Sequence, residues 1–203
     1  MKKKDLFLSI TLVLTLLAGT SFASDITGKF GVSGRIGFLV PADSDINGRK
    51  LGTDVGFVGG GGFIYGFYKN FAAELEMTHT EFDADSGSFN NGDAESNNFS
   101  LGVQYRFDPL PVKKLIVFLG SGLSILDNDF TFSDGERADV EMTAGIYGKG
   151  GFDYFLTRQF ALTSEVKGVL APEADIENFR GEKIGNFDPS SFAVTFGARF
   201  FFN

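Results

Sequence analysis

The strongest constraint in this chain is an alternation of apolar and polar residues that recurs in eight separate segments. Period-two alternation sends successive side chains to opposite faces of a β-strand, so each segment reads as a strand between two different surroundings. Between 99 and 107, Phe99, Leu101, Val103, Tyr105 and Phe107 share one face, against Ser100, Gly102, Gln104 and Arg106. Near the C-terminus Phe192, Val194, Phe196, Ala198, Phe200 and Phe202 oppose Ala193, Thr195, Gly197, Arg199 and Phe201. An N-terminal segment sets Phe30, Val32, Ile36, Phe38 and Val40 against Gly31, Ser33, Arg35 and Gly37. Five more segments fall near 54–68, 71–82, 115–126, 140–155 and 160–170. A helical period fits none of them as well.

The connections alternate too. Short turns at Tyr68–Asn70, Pro109–Lys114 and Leu156–Gln159 separate long polar stretches at Pro41–Thr53, Asp83–Glu95, Asp127–Asp139 and Ala171–Ser190. That rhythm is expected of an all-β, eight-stranded antiparallel up-and-down transmembrane β-barrel, with short turns on the periplasmic side and long loops outside. A soluble eight-stranded barrel would have its faces reversed, with apolar residues lining a pocket and polar ones facing water.

The charges decide between the two. The polar faces carry Arg35, Arg106, Lys149, Lys167 and Arg199 together with Glu74, Glu76, Glu141, Asp153 and Glu165. Five cations against five carboxylates suit a narrow enclosed lumen, because a buried ion is tolerated only when paired and hydrogen-bonded. The Phe-rich faces then meet lipid, and Gly56, Gly60, Gly62, Gly102, Gly120 and Gly122 leave room inside for long side chains.

Ahead of the strands, Lys2, Lys3 and Lys4, an apolar run from Leu6 to Ala18, and Ser21-Phe22-Ala23 read as a secretory signal cleaved after Ala23. The run is too short to span a bilayer as a helix. The expected organisation is a signal peptide over 1–23 and one barrel domain over 24–203. Losing Lys2, Lys3, Lys4 and Asp5 takes the formal charge from −8 to −10. With the lumen neutral, that acidity falls on the long loops, and the short turns are slightly basic.

Composition removes several classes of function. The chain has no Cys and one His, so disulfides, Cys-ligated zinc, a thiol nucleophile and most His-based sites are excluded. Its acidity argues against nucleic-acid partners. No cofactor is expected. The densest loop acids, Asp83, Asp85, Asp93 and Glu95, are the candidates for weak divalent-cation contact, although their spacing matches no EF-hand.

Three stretches resemble the bacterial outer-membrane β-barrel family of OmpX-type and OmpA-barrel proteins. Gly59-Gly60-Gly61-Gly62-Phe63-Ile64-Tyr65-Gly66-Phe67 turns into Phe71-Ala72-Ala73-Glu74-Leu75-Glu76, like the family's second hairpin. Gly148-Lys149-Gly150-Gly151-Phe152-Asp153-Tyr154, then Leu156 to Gln159, then Phe160-Ala161-Leu162, looks like its sixth and seventh strands. The last strand is similar to the family's assembly signal, with Thr195, Gly197, Phe200 and Phe202 in the signal positions and Asn203 where the family usually ends on Phe. The resemblance implies that the barrel-assembly machinery reads this strand and that outer-membrane lipid surrounds the barrel. The family's peptidoglycan-binding domain is not expected.

The function expected is an envelope and surface-interaction protein with a plugged lumen. Its loop aromatics Phe89, Phe130, Phe132 and Phe179 would serve as anchors for host or other surface ligands. A narrow porin for small solutes or cations is the alternative, with an acidic mouth favouring cations. A lipid A-modifying enzyme has only His79 to offer, beside Thr80 and Glu81, and these neighbours lack the His-x-Ser arrangement of the deacylase barrels. No enzyme activity is expected.

Overall fold

The computed structural model describes residues 26–42, 44–46, 49–53, 55–86, 89–108, 114–132, 137–177 and 183–202. Of 44–46, 49–53, 82–86, 89–94, 130–132, 137–140, 176–177 and 183–185 it describes the backbone alone. The signal segment, Phe179 and Asn203 lie outside these residues. Thirteen strands run in order: β1 (Phe30–Pro41), β2 (Ser44–Ile46), β3 (Arg49–Thr53), β4 (Gly56–Tyr68), β5 (Phe71–Ser86), β6 (Phe89–Phe107) and β7 (Leu115–Phe132). They continue with β8 (Arg137–Val140), β9 (Thr143–Phe155), β10 (Phe160–Leu170), β11 (Ala174–Glu177), β12 (Lys183–Phe187) and β13 (Ser191–Phe201).

Eight long strands close a ring in the order β1-β4-β5-β6-β7-β9-β10-β13, and every pairing is antiparallel. The circuit of cross-strand partners that leaves β5 at Glu81 passes through Phe57, Phe38, Val194, Val166, Gly150, Leu119 and Tyr105. It returns to β5 at Phe71, ten positions lower. A stagger of that size fixes the tilt of the strands and gives a barrel just wide enough for side chains to fill.

The long connections hold more structure than their polar sequences suggest. β2, β3, β8, β11 and β12 continue the wall above the outer rim. With the upper parts of β5, β6 and β7 they close a second ring, β5-β6-β7-β8-β11-β12-β2-β3. The molecule is therefore one tall barrel of eight staves. Three staves run unbroken, and five neighbouring ones bend between β1 and β2, β3 and β4, β8 and β9, β10 and β11, and β12 and β13. Pro41, Pro172 and Pro189 sit at or beside these bends, where a missing N–H interrupts the ladder. Ser190 bridges the gap: its hydroxyl accepts from the Ala171 N–H, and its carbonyl accepts from the Ala42 N–H at 2.8 Å.

Burial is inverted relative to a water-soluble protein. Phe63 and Leu123 are 64% and 67% exposed on the outer wall, whereas Arg199 and Asp153 are fully buried inside. A continuous exposed apolar wall of this extent needs a nonaqueous partner. At the short-turn end its aromatics form a girdle: Phe30 stacks on Tyr65 at 4.3 Å, and Phe71, Tyr105 and Phe107 follow one another round the rim. The Leu156–Gln159 turn is held by Thr157, whose hydroxyl accepts from the Gln159 and Phe160 N–H groups.

The N-terminal segment folds into the periplasmic mouth. Ile26 packs among Ile64, Ala72, Ile116, Phe155, Ala161 and Phe201 in an apolar base. Gly28, at a φ of 75° that favours glycine, turns the chain so that its N–H donates to the Gly66 carbonyl.

Candidate functional site

Above the apolar base the lumen holds a continuous ion-pair network. Asp153 lies 2.6 Å from Arg106 and 3.0 Å from Arg199. Glu74 accepts from Arg35 at 2.9 Å, Lys149 at 2.6 Å, Arg199 at 3.0 Å and the Gln104 amide at 2.6 Å. Glu76 accepts from Arg35 at 2.7 Å, Lys149 at 3.1 Å and Lys167 at 2.8 Å. Glu165 joins Arg35 at 2.7 Å and Lys149 at 3.1 Å. Six staves supply these nine groups, so the network cross-braces the barrel and fills its bore.

Nine of the ten charged residues expected in the lumen are brought together here. Glu141 is not among them. Its stave breaks between β8 and β9, and both Glu141 and Met142 are exposed at the bend, where face parity no longer holds. The Glu141 N–H donates to the Asp175 carbonyl at 3.3 Å, so the residue is held by its backbone. The consequence is electrostatic. Among the described buried residues, five cations face four carboxylates.

Several neutral residues complete the site, and of these sequence reasoning singles out only the glycines. Ser100 accepts from Lys167 and shares a 2.8 Å hydroxyl contact with Ser124. Gln104 links Arg106 to Glu74. Tyr147 lies over the Lys167 ammonium at 4.6 Å, a cation–π contact, and its parity with Lys149 on β9 was the available signal. The Phe118 ring does the same for Arg199 at 4.7 Å. Gly102 and Gly122, paired across β6 and β7, make the bed for the Tyr147 ring, since a side chain at either position would meet that ring or facing backbone.

Glu74, Glu76 and Glu165 are close enough to share a metal ion, but Arg35 and Lys149 already occupy the space between all three. Of the loop acids, Asp83 and Asp93 are direct cross-strand partners in backbone register, and their side chains lie outside the described set, as do those of Asp85, Phe89, Phe130 and Phe132. Glu95 is exposed on the outer wall, in register with Glu81 on one side and Asp129 on the other. His79 is in register with Asn97, and its ring contacts the Asn97 carboxamide oxygen at 2.9 Å and Glu81 at 3.3 Å. Of the assembly-signal positions, Thr195 is buried and points inward, Gly197 pairs with Arg35 on the closing strand β1, and Phe200 and Phe202 face outward.

An inverted eight-stranded barrel with aromatic girdle, apolar wall and ion-paired bore is an integral protein of the Gram-negative outer membrane. Over residues 9–200 the sequence matches the family described as outer membrane protein beta-barrel domain, and the chain belongs to that family. Solved structures of the same fold include the outer membrane protein OprG from Pseudomonas aeruginosa, at 19% identity and a TM-score of 0.63 over 87% of this chain and 97% of that one. Neisserial surface protein A is similar at 14% identity and a TM-score of 0.61, covering 85% and 97%. The outer membrane protein AlkL, solved in lipid bilayers, is similar at 15% identity and 0.59, covering 91% and 95%. No curated protein matches the chain in sequence.

Proposed function

We propose that this barrel is a closed, non-catalytic envelope protein that braces the outer membrane and presents an acidic collar for contact at the cell surface. The observation that carries the reading is the cross-braced lumen: Lys167 and Glu76, on opposite staves, meet at 2.8 Å with Arg35 and Lys149 packed beside them. A bore filled by paired ions has no continuous water path, and opening one would strand buried charges at a cost of several kcal/mol. The apolar base around Ile26 supports closure at the other end. Signal cleavage after Ala23 would leave Ser24 and Asp25 ahead of that plug.

The surface role rests on the tall outer ring. Its strands carry the backbone of the acidic segments and of Phe89, Phe130 and Phe132 above the outer rim. An elevated collar suits attachment to host or other surface ligands better than a narrow porin, which would need the network to part. His79 shares its contacts with Asn97 and Glu81, with no hydroxyl or thiol on the ring among the described residues. The test is to replace the upper hairpins with short turns. Folding and insertion are expected to persist while cell-surface attachment falls; loss of insertion, or attachment undiminished, would contradict the reading.

A further inference from the structure

The base of the barrel is apolar but not completely filled. A cleft of about 330 Å³ lies at the short-turn end, at the lower limit of ligand-site sizes, which run roughly 300–1,000 Å³. Ile26, Phe107 and Ile116 give it an apolar lining, and Lys69, Arg106 and Asp108 bring charge to it. Arg106 is already held by Asp153 at 2.6 Å. Lys69 is exposed, and its ammonium makes no ion pair among the described residues.

The N-terminal segment is pinned beside this cleft. The Thr27 hydroxyl donates to the Lys69 carbonyl at 3.4 Å, and the Gly28 N–H donates to the Gly66 carbonyl at 2.6 Å. The Lys29 N–H closes a turn on the Ile26 carbonyl at 2.9 Å. Consecutive Cα atoms are about 3.8 Å apart, so whatever precedes Ile26 begins at the cleft. After cleavage behind Ala23 that is two residues: Ser24, with a free α-amine, and Asp25, with a carboxylate. The cleft offers Lys69 for the carboxylate and Asp108 for the amine. A tethered segment also meets its site at an effective concentration on the order of millimolar, which favours it over a free solute. In the precursor the same α-nitrogen is an uncharged amide, and the signal must leave through the same opening.

We propose that Ser24 and Asp25 fold back into this cleft, with the Asp25 carboxylate paired to the Lys69 ammonium, so that removal of the signal completes the periplasmic plug. The proposal rests on cleavage after Ala23 and on neither the ion-paired lumen nor the surface role, so it fails or stands apart from them. A chain without Cys permits a direct test. The mature chain beginning at residue 24 is refolded in detergent with Ser24→Cys and Asn70→Cys and mildly oxidised, since a disulfide needs Cα atoms within about 7 Å. The control pairs Ser24→Cys with Arg158→Cys on the Leu156–Gln159 turn at the same end of the barrel. Bridging to position 70 is expected to be at least about tenfold faster than to position 158. Adding Asp25→Asn should slow it about threefold, the weight of an exposed ion pair. Equal rates at the two positions, or a rate indifferent to Asp25→Asn, overturns the proposal. Should the cysteine variants give no boiling-sensitive band, the unmodified mature chain decides. Its Asp25 carboxyl, followed by NMR, should titrate at a pH about 0.5 below that in Lys69→Met, and identical titrations overturn the pairing. Intact mass of the exported protein completes the test: a mature N-terminus other than Ser24 overturns it as well.

Discussion

Lys167 on β10 and Glu76 on β5 stand on diametrically opposite staves of the ring and meet at 2.8 Å. No side chain of ordinary length could bridge a wider barrel, so this one contact ties the stagger of the strands to the filling of the lumen. The remaining pairs repeat the tie at other angles and lock the tilt.

Glu76 accepts from three cations, and Glu76→Gln would leave Arg35, Lys149 and Lys167 under-compensated. The expected loss is about 3–5 kcal/mol, the usual cost of removing one partner from a buried ion pair. Urea unfolding in lipid vesicles measures it. A loss below about 1 kcal/mol, the range of exposed surface pairs, would mean that water reaches the network.

Gly102→Val tests the bed beneath Tyr147. The new side chain would meet the Ser121 carbonyl, the Gly122 backbone and the Tyr147 hydroxyl, and of these only the tyrosine can move. Overpacking at such a site costs about 1–3 kcal/mol. The same substitution at Gly34 points outward into open space and should cost far less, which the unfolding midpoints of the two variants will compare.

Ile26→Ala should loosen the periplasmic plug. Burial of an isoleucine in an apolar cluster is worth about 2–5 kcal/mol when truncated to alanine. Since Gly28 donates to Gly66 across the same contact, amide exchange at Gly28 should rise by more than tenfold while β9 and β10 keep their protection. Uniform acceleration throughout the barrel would show that the segment is not a separate lid.

Phe202→Ser should slow assembly, because Phe202 lies on the outward face at the end of the strand expected to carry the assembly signal. Folding by the assembly machinery in reconstituted vesicles is the measurement. An unchanged rate would remove Phe202 from the signal.

Much of the barrel can be read from the chain, because period-two alternation and lipid burial are set by the same residues. Phe99 to Phe107 shows why: its apolar members face outward and Gln104 and Arg106 inward, as their parity requires. Where both faces are polar, parity carries no signal. Segments such as Arg49–Thr53 and Lys183–Phe187 therefore read as loops, although their backbones pair across the upper ring. Glu141 fails for a related reason: a bend resets the alternation, and nothing in the local residues announces which position resets it. Ile26 sits before the first alternating segment, and only the closed barrel reveals the base it fills.

The central claim is that the lumen is closed by ion pairs, and conductance of the purified full chain in a planar bilayer tests it most directly. In molar potassium chloride wild type should show no steady unitary current, and Glu76→Gln should show at most brief openings. A stable, reproducible open level in the wild-type protein would contradict the account.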